Sequence, residues 1–151
     1  MPIPDFNDYG LLPSGIFDCV ESEIVDRYCQ NNQNRDQIWG LFKQFIQSPK
    51  PFNLPDHIYI DGGFTSDKAA TKDIDVVIDI SHLDDANAFK AYAWLASNKS
   101  SLMTTYKVDC WLKHHVITND LVSFFQYVKT DEALARGLPN GEKKGLLRMM
   151  F

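Results

Sequence analysis

Two aspartates, Asp73 and Asp75, lie two residues apart at the start of an apolar segment, residues 74–80, that is predicted to be a β-strand. Because side chains alternate along a strand, both carboxylates leave one face, while Ile74 and Val76 point to the other. Two close carboxylates repel each other, and a hard divalent cation relieves that repulsion. Mg²⁺ takes oxygen ligands of this kind together with phosphate oxygens. The pair therefore predicts a Mg²⁺ site.

A glycine pair precedes these aspartates. Gly62 and Gly63 interrupt a short β-prone segment, and Thr65 and Ser66 follow them. Glycine lets the backbone approach a ligand closely and turns amide groups outward, so a phosphate can bind there, particularly if a helix begins at Thr65 or Ser66. The lysines closest in sequence to the candidate carboxylates, and therefore the best candidates to contact a triphosphate, are Lys72 and Lys107.

A third carboxylate, Asp109, lies in residues 104–112, which are also predicted to form a strand. Alternation places Lys107 and Asp109 on one face and Val108 and Cys110 on the other. If this strand pairs beside the strand of the first two carboxylates, the three aspartates form one cluster. Such a cluster can hold two metal ions about 4 Å apart, where one metal activates an attacking oxygen and both clamp a transferring phosphoryl group.

The remaining pattern predicts the elements that must position these residues. Residues 1–15, rich in proline and glycine, are predicted to be an extended arm. Apolar residues at helical spacing predict helices that start at Asp18, cover residues 38–45, follow Ser81 and Asp84, and cover residues 121–128 after a cap at Asn119 or Asp120. Further strands are predicted at residues 57–60 and, at the edge of the sheet, 146–151. This order predicts one domain over residues 1–151, of α/β or α+β class.

The glycine pair, Asp73, Asp75 and the later Asp109 resemble the signature of the DNA polymerase beta-like nucleotidyltransferases. That signature is an apolar residue, Gly, Gly or Ser, about ten residues, and then Asp-x-Asp or Asp-x-Glu. Ile60 matches the apolar position, and Asp61 is a polar departure before the first glycine. The resemblance covers residues 57–112, the catalytic-type core. It implies an α+β fold in which helices pack on a small, mixed, twisted β-sheet.

By this resemblance, Asp73, Asp75 and Asp109 would bind Mg²⁺, and Gly62 and Gly63 would hold nucleotide phosphates. Asp109 would bind a second metal or assist deprotonation of the acceptor hydroxyl. Where the family commonly has Ser at the second glycine position, Thr65 or Ser66 would supply the hydroxyl. The implied reaction is Mg²⁺-dependent transfer of a nucleoside monophosphate from an NTP to a hydroxyl on a protein, an RNA end or a small molecule.

The same residues also fit other interpretations. The Asp-x-Asp pair can also be a solvated strand start, and such cores also occur as interaction or nucleotide-sensing modules without turnover. By analogy with small nucleotidyltransferases in toxin–antitoxin or defence pairs, a protein partner is expected. His114 and His115 are interpreted as surface residues, and Phe124, Phe125 and Tyr127 as core or as a contact in a homodimer.

Composition narrows the classes of partner. The chain has 151 residues and a net charge of −5, which argues against general DNA binding because phosphate neutralisation requires basic surfaces. It contains neither an apolar run long enough to cross a membrane nor a basic region followed by an apolar stretch, so neither a membrane span nor a secretory signal is expected. Three cysteines without C-x-x-C spacing argue against a disulfide framework or a zinc site and fit the cytoplasm.

Overall fold

Five strands form one mixed, twisted β-sheet in the computed structural model, which describes residues 3–117, 121–139 and 142–151. The strands are β1 (Ile16–Val20), β2 (His57–Asp61), β3 (Ile74–Asp79), β4 (Val108–Lys113) and β5 (Leu146–Met150). Their order across the sheet is β1-β5-β2-β3-β4. The outer pairs, β1 with β5 and β3 with β4, are parallel, and β2 pairs antiparallel with both β5 and β3.

The helices lie between these strands in the chain. They are α1 (Glu21–Ile24), continued by a π-helical turn (Val25–Cys29), α2 (Gln33–Gln47), α3 (Asp85–Tyr106), α4 (Leu121–Gln126) and α5 (Thr130–Arg136). The Asn32 side chain caps α2 by accepting the amide N–H of Arg35, and Asp84 caps α3 by accepting that of Asn87. The α+β class, with helices packed on a small mixed sheet, is confirmed.

Strand alternation gives the sheet one apolar face. On β3, Ile74, Val76 and Ile78 are fully buried in the main core. Residues of α2 and α3, among them Phe42 and Leu95, belong to the same core, so these two helices cover this face. The main hydrophobic core therefore lies between the sheet and α2 and α3.

The opposite face has a smaller apolar cluster. Tyr59, Val77 and Leu146 pack there with Val122 of α4. The side chains of Asp75 and Asp109 also leave the sheet on this face, because they alternate with the core residues of β3 and β4. The lightly covered face is therefore the face that carries the candidate chemistry.

Three predictions about elements are wrong. Residues 146–150 form β5, which lies between β1 and β2, whereas a strand at the edge was expected. Asp18 lies in β1, which precedes α1, and it starts no helix. Thr104–Tyr106 belong to α3, so β4 begins only at Val108. The proposed caps Asn119 and Asp120 lie outside the described residues.

Among the described residues, the structure contains no helix with both the length and the apolar character that a membrane span requires.

Candidate functional site

Three carboxylates occupy one row across neighbouring strands. Asp75 of β3 is the register partner of Asp61 on antiparallel β2 and of Asp109 on parallel β4. Paired residues on adjacent strands share a face, so the three side chains lie side by side. Asp73 precedes β3 by one residue. The expected pairing of the strand of Asp109 beside the strand of Asp75 is confirmed.

A cavity of about 830 Å³ opens over this row. Among the predicted site residues, its lining includes Gly62, Gly63, Ser66, Asp73, Asp75 and Asp109. Thr65, Lys72 and Lys107 are not among the described residues that line it. The lining also includes residues to which the sequence analysis assigned no role in the site: Asp61, Lys68, Trp111, Phe124, Phe125, Tyr127, Lys129 and Lys144.

Burial and neighbouring negative charge both oppose the ionisation of the carboxylates in this cavity. Burial, and then the nearby charges of Asp73, Asp109 and Asp61, raise the pKa of Asp75 from 3.8 to about 7. Burial and the charge of Asp109 also raise the pKa of Asp73. The site therefore holds negative charge that its own residues only partly compensate.

Asp61, noted only as a departure from the signature, is the most buried carboxylate of the row, with 3 % of its surface exposed. Its Oδ1 lies 3.0 Å from Nζ of Lys144, which precedes β5. Burial raises the pKa of Asp61, while Lys144 opposes that shift. Strand alternation places Asp61 on the same face as Tyr59 and could have predicted that its side chain faces the cavity. Nothing in the sequence around Lys144 predicted that this lysine would pair with Asp61.

Asp109 also has a cationic partner that the sequence analysis missed. Nζ of Lys99, from α3, lies 3.0 Å from Asp109 Oδ1 and donates to the Cys110 carbonyl oxygen at 2.7 Å. The same ammonium lies 3.6 Å from the centroid of the Trp111 ring. The sequence pattern predicts strand at residues 104–106, which in fact belong to α3, so the length of α3 and the position of Lys99 beside Asp109 could not be predicted.

The two glycines differ in their geometry. Gly62 has a φ of +86°, and a Cβ at this position would lie 2.5 Å from Asp75 Oδ2. A Cβ on Gly63 would meet only the Lys68 side chain, 3.2 Å from its Cδ. Gly62 is thus required by the close approach of the backbone to a site carboxylate. Its contact with a nucleotide phosphate stays a prediction.

Side chains at the start of α2 bind the loop that follows the glycines, residues 64–71. The buried guanidinium of Arg35 donates to the carbonyl oxygens of Phe64, Ser66 at 2.9 Å and Lys68. Asn34 adds a bond from its side-chain amide to the Thr71 carbonyl oxygen at 3.1 Å. These contacts hold the loop backbone in place from the side opposite the cavity. Arg35 lies in a helical segment, and nothing in the sequence around it predicted that its guanidinium would bind this loop.

The remaining predicted phosphate contacts have other positions. The hydroxyl of Thr65 donates to the Gly62 carbonyl oxygen at 3.2 Å, and that of Ser66 to the Gly63 carbonyl oxygen at 2.7 Å. Both hydroxyls therefore stabilise the turn itself. Lys107 ends α3 in the left-handed conformation, with a φ of 56°, so its predicted placement on the strand face beside Asp109 is wrong.

The adjacent histidines form a second polar group, which the sequence analysis placed on the surface. His114 is buried, which contradicts that interpretation, and its ring centroid lies 4.2 Å from that of His115, with the two ring planes tilted by 33°. Asp85, His114 and His115 offer ligand atoms within 4.8 Å of one another. However, His114 Nε2–H donates to the Leu83 carbonyl oxygen at 2.8 Å, and Nδ1 accepts the amide N–H of Val116 at 3.2 Å. With both ring nitrogens engaged, His114 acts as a structural link.

Comparison with known proteins adds a family and no activity. No curated protein and no solved structure matched the chain. One family model matches residues 4–150, and its description is a family of unknown function, DUF6932. Since the match covers nearly the whole chain, the protein belongs to the DUF6932 family.

Proposed function

We propose that the protein is a Mg²⁺-dependent nucleotidyltransferase that moves a nucleoside monophosphate from an NTP to a hydroxyl. The observation that supports this most is the common cavity, in which Asp73, Asp75 and Asp109 face the Gly62-Gly63 turn. Carboxylates beside a close-approaching backbone are what a metal-bound triphosphate requires.

The residues present fit a magnesium ion. The donors are carboxylate oxygens, which hard cations prefer. Burial and mutual repulsion raise the pKa of Asp73 and Asp75, so a cation at these two side chains would relieve the largest unfavourable charge in the cavity. Bound there, Mg²⁺ would neutralise phosphate charge and stabilise the charge that develops during transfer.

The chain's own residues have separable tasks in this proposal. The acceptor oxygen forms a bond to the α-phosphorus, the bond from that phosphorus to the bridging oxygen breaks, and pyrophosphate leaves with the bonding electrons. Asp109 takes the proton of the acceptor hydroxyl. Lys68, Lys129 and Lys144, which line the cavity, provide positive charge for the triphosphate.

Labelled nucleotide tests the proposal directly. We expect NTP to stabilise the unsubstituted protein against heat only when Mg²⁺ is present, because a ligand that binds the folded state raises its stability. Label from α-labelled NTP should pass to an acceptor supplied as RNA, as co-purified protein or as the chain itself. Asp75→Asn should abolish both results, and Asp79→Asn on the same strand should abolish neither. Equal stabilisation of parent and Asp75→Asn would contradict the metal assignment.

A second candidate function is nucleotide sensing without transfer. The contact of Lys99 with Asp109 favours it, since an occupied Asp109 is less available to take a proton. Mg²⁺-dependent binding of NTP without transfer of label to any acceptor would support this function. In either case we propose a cytoplasmic protein with a protein partner or a second copy, and the three free, buried cysteines are consistent with a reducing compartment.

A further inference from the structure

Lys99 is held at Asp109 by three different contacts. Its ammonium pairs with Oδ1 of Asp109 at 3.0 Å, donates to the Cys110 carbonyl oxygen at 2.7 Å, and lies 3.6 Å from the centroid of the Trp111 ring. Each contact alone is modest at a partly exposed site, but together they fix the ammonium in one place. A lysine that merely pointed into solvent would have none of them.

The ion pairs in the cavity are unevenly distributed. Asp61 pairs with Lys144, and Asp109 pairs with Lys99. For Asp73 and Asp75, the structure records no ion pair with any residue that it describes. These two carboxylates are therefore the ones left for a cation to bind.

We propose that the Lys99 ammonium takes the place of a second divalent ion at Asp109, so that the chain binds one divalent ion in this cavity. The inference rests on the proposed function, because it concerns the metal that this function requires. Lys99 is a positioning residue here: it holds the Asp109 carboxylate in the row without contacting the reacting atoms.

Like-charge repulsion is the physical reason for a single ion. A second divalent ion on Asp109 would have to displace the ammonium or share the carboxylate with it at close range. Displacement would also break the bond to the Cys110 carbonyl oxygen and the contact with the Trp111 ring. Removing the charge at residue 99 should therefore open a second ion site, and keeping the charge should not.

Manganese binding provides the test, because Mn²⁺ replaces Mg²⁺ on oxygen ligands and is counted by electron paramagnetic resonance. The full chain is titrated with Mn²⁺ alone and then with Mn²⁺ plus a non-hydrolysable ATP analogue. Lys99→Met removes the charge and keeps most of the stem, and Lys99→Arg keeps the charge. Lys90→Met, at an exposed position of the same helix, is the matched control, and circular dichroism confirms that each variant is folded.

We expect one tightly bound Mn²⁺ in the parent, Lys99→Arg and Lys90→Met. Lys99→Met should bind two, with spin coupling between neighbouring ions and at least tenfold tighter binding of the second ion. Two ions in the parent, or one in folded Lys99→Met, would overturn the inference even if the protein transfers nucleotide. One ion in the parent and two in Lys99→Met, without label transfer, would instead refute the transferase function and support the inference. A parent that binds no ion refutes both.

Discussion

The two faces of the central strands differ in what they carry and in what covers them. On β3, Ile74, Val76 and Ile78 point into the main core beneath α2 and α3. Asp75 and Val77 point to the other face, where the apolar cluster is small and the cavity opens. Neighbouring residues of one strand thus serve opposite purposes, separated by the alternation of the pleat.

This difference shows where the molecule tolerates unfavourable electrostatics. Asp61, Asp75 and Asp109 stand in one row, and their mutual repulsion lowers stability. The large core on the other face supplies the free energy that offsets it. Substitutions on the core face should therefore lower stability and leave ligand binding intact, while substitutions of the carboxylates on the open face should change ligand binding.

The largest expected effect is on the core face. Ile78→Ala removes a fully buried side chain and leaves a cavity, so we expect a loss of about 3 kcal/mol in the free energy of unfolding. Urea unfolding measures this loss. The folded variant should still bind Mn²⁺ with the parent's affinity, since Ile78 points away from the carboxylates.

Val77→Ala is the matched control for that prediction. Val77 is the preceding residue and is also buried, but it belongs to the small cluster on the open face. Removing its two methyl groups should cost about 1.5 kcal/mol. If Ile78→Ala proved no more destabilising than Val77→Ala, the division into a structural face and a chemical face would be wrong.

A smaller effect, of opposite sign, is expected for Asp75→Asn. The pKa of Asp75 is raised to about 7 in the folded chain and is 3.8 when the group is unperturbed. Because the folded chain holds the Asp75 proton more tightly than the unfolded chain does, the free energy of unfolding is highest below about pH 4. It falls as the pH rises from there through about 7, where Asp75 ionises in the folded chain. In metal-free buffer at pH 8, the variant should exceed the parent by on the order of 2 kcal/mol, and the difference should disappear by pH 4.

Thermal or urea unfolding across this pH range, with a chelator present, measures the difference. Asp79→Asn removes a carboxylate from the same face of the same strand and controls for the change in net charge. Adding Mn²⁺ should stabilise the parent and leave Asp75→Asn unchanged. A variant that is less stable than the parent at pH 8 would show that the Asp75 carboxylate supports the fold.

Local patterns predicted much of this architecture because they report local physics. Alternation along residues 74–79 identified β3 and placed Asp75 on the face opposite Ile74 and Val76. The glycine pair identified the turn, and Gly62 does have the positive φ that such a turn requires. Spacing along single segments therefore predicted strand β3, the face of β3 that carries Asp75, and the turn at Gly62.

Contacts between distant segments could not be read in this way. The apolar sequence of β5 does not distinguish an edge strand from an interior strand. Only its pairing with both β1 and β2 places it in the interior of the sheet. Lys144, just before β5, and Lys99 of α3 pair with carboxylates of the site, and Arg35 of α2 holds the loop beside it. Each is an ordinary charged residue in its own segment, and these partners could not be predicted because tertiary packing determines which charged residues meet.

The smallest expected effects separate the two glycines within the open face. Gly62→Ala should lose about 1–2 kcal/mol, because φ at this position is +86° and the new Cβ would lie 2.5 Å from Asp75 Oδ2. Gly63→Ala should change stability by less than about 0.5 kcal/mol, since its Cβ meets only the flexible Lys68 side chain. Unfolding in urea measures both changes, and Mn²⁺ titration should show weaker binding only for Gly62→Ala, whose methyl group would displace a carboxylate of the proposed metal site. Equal losses of stability, or normal Mn²⁺ affinity in Gly62→Ala, would show that the turn does not position Asp75.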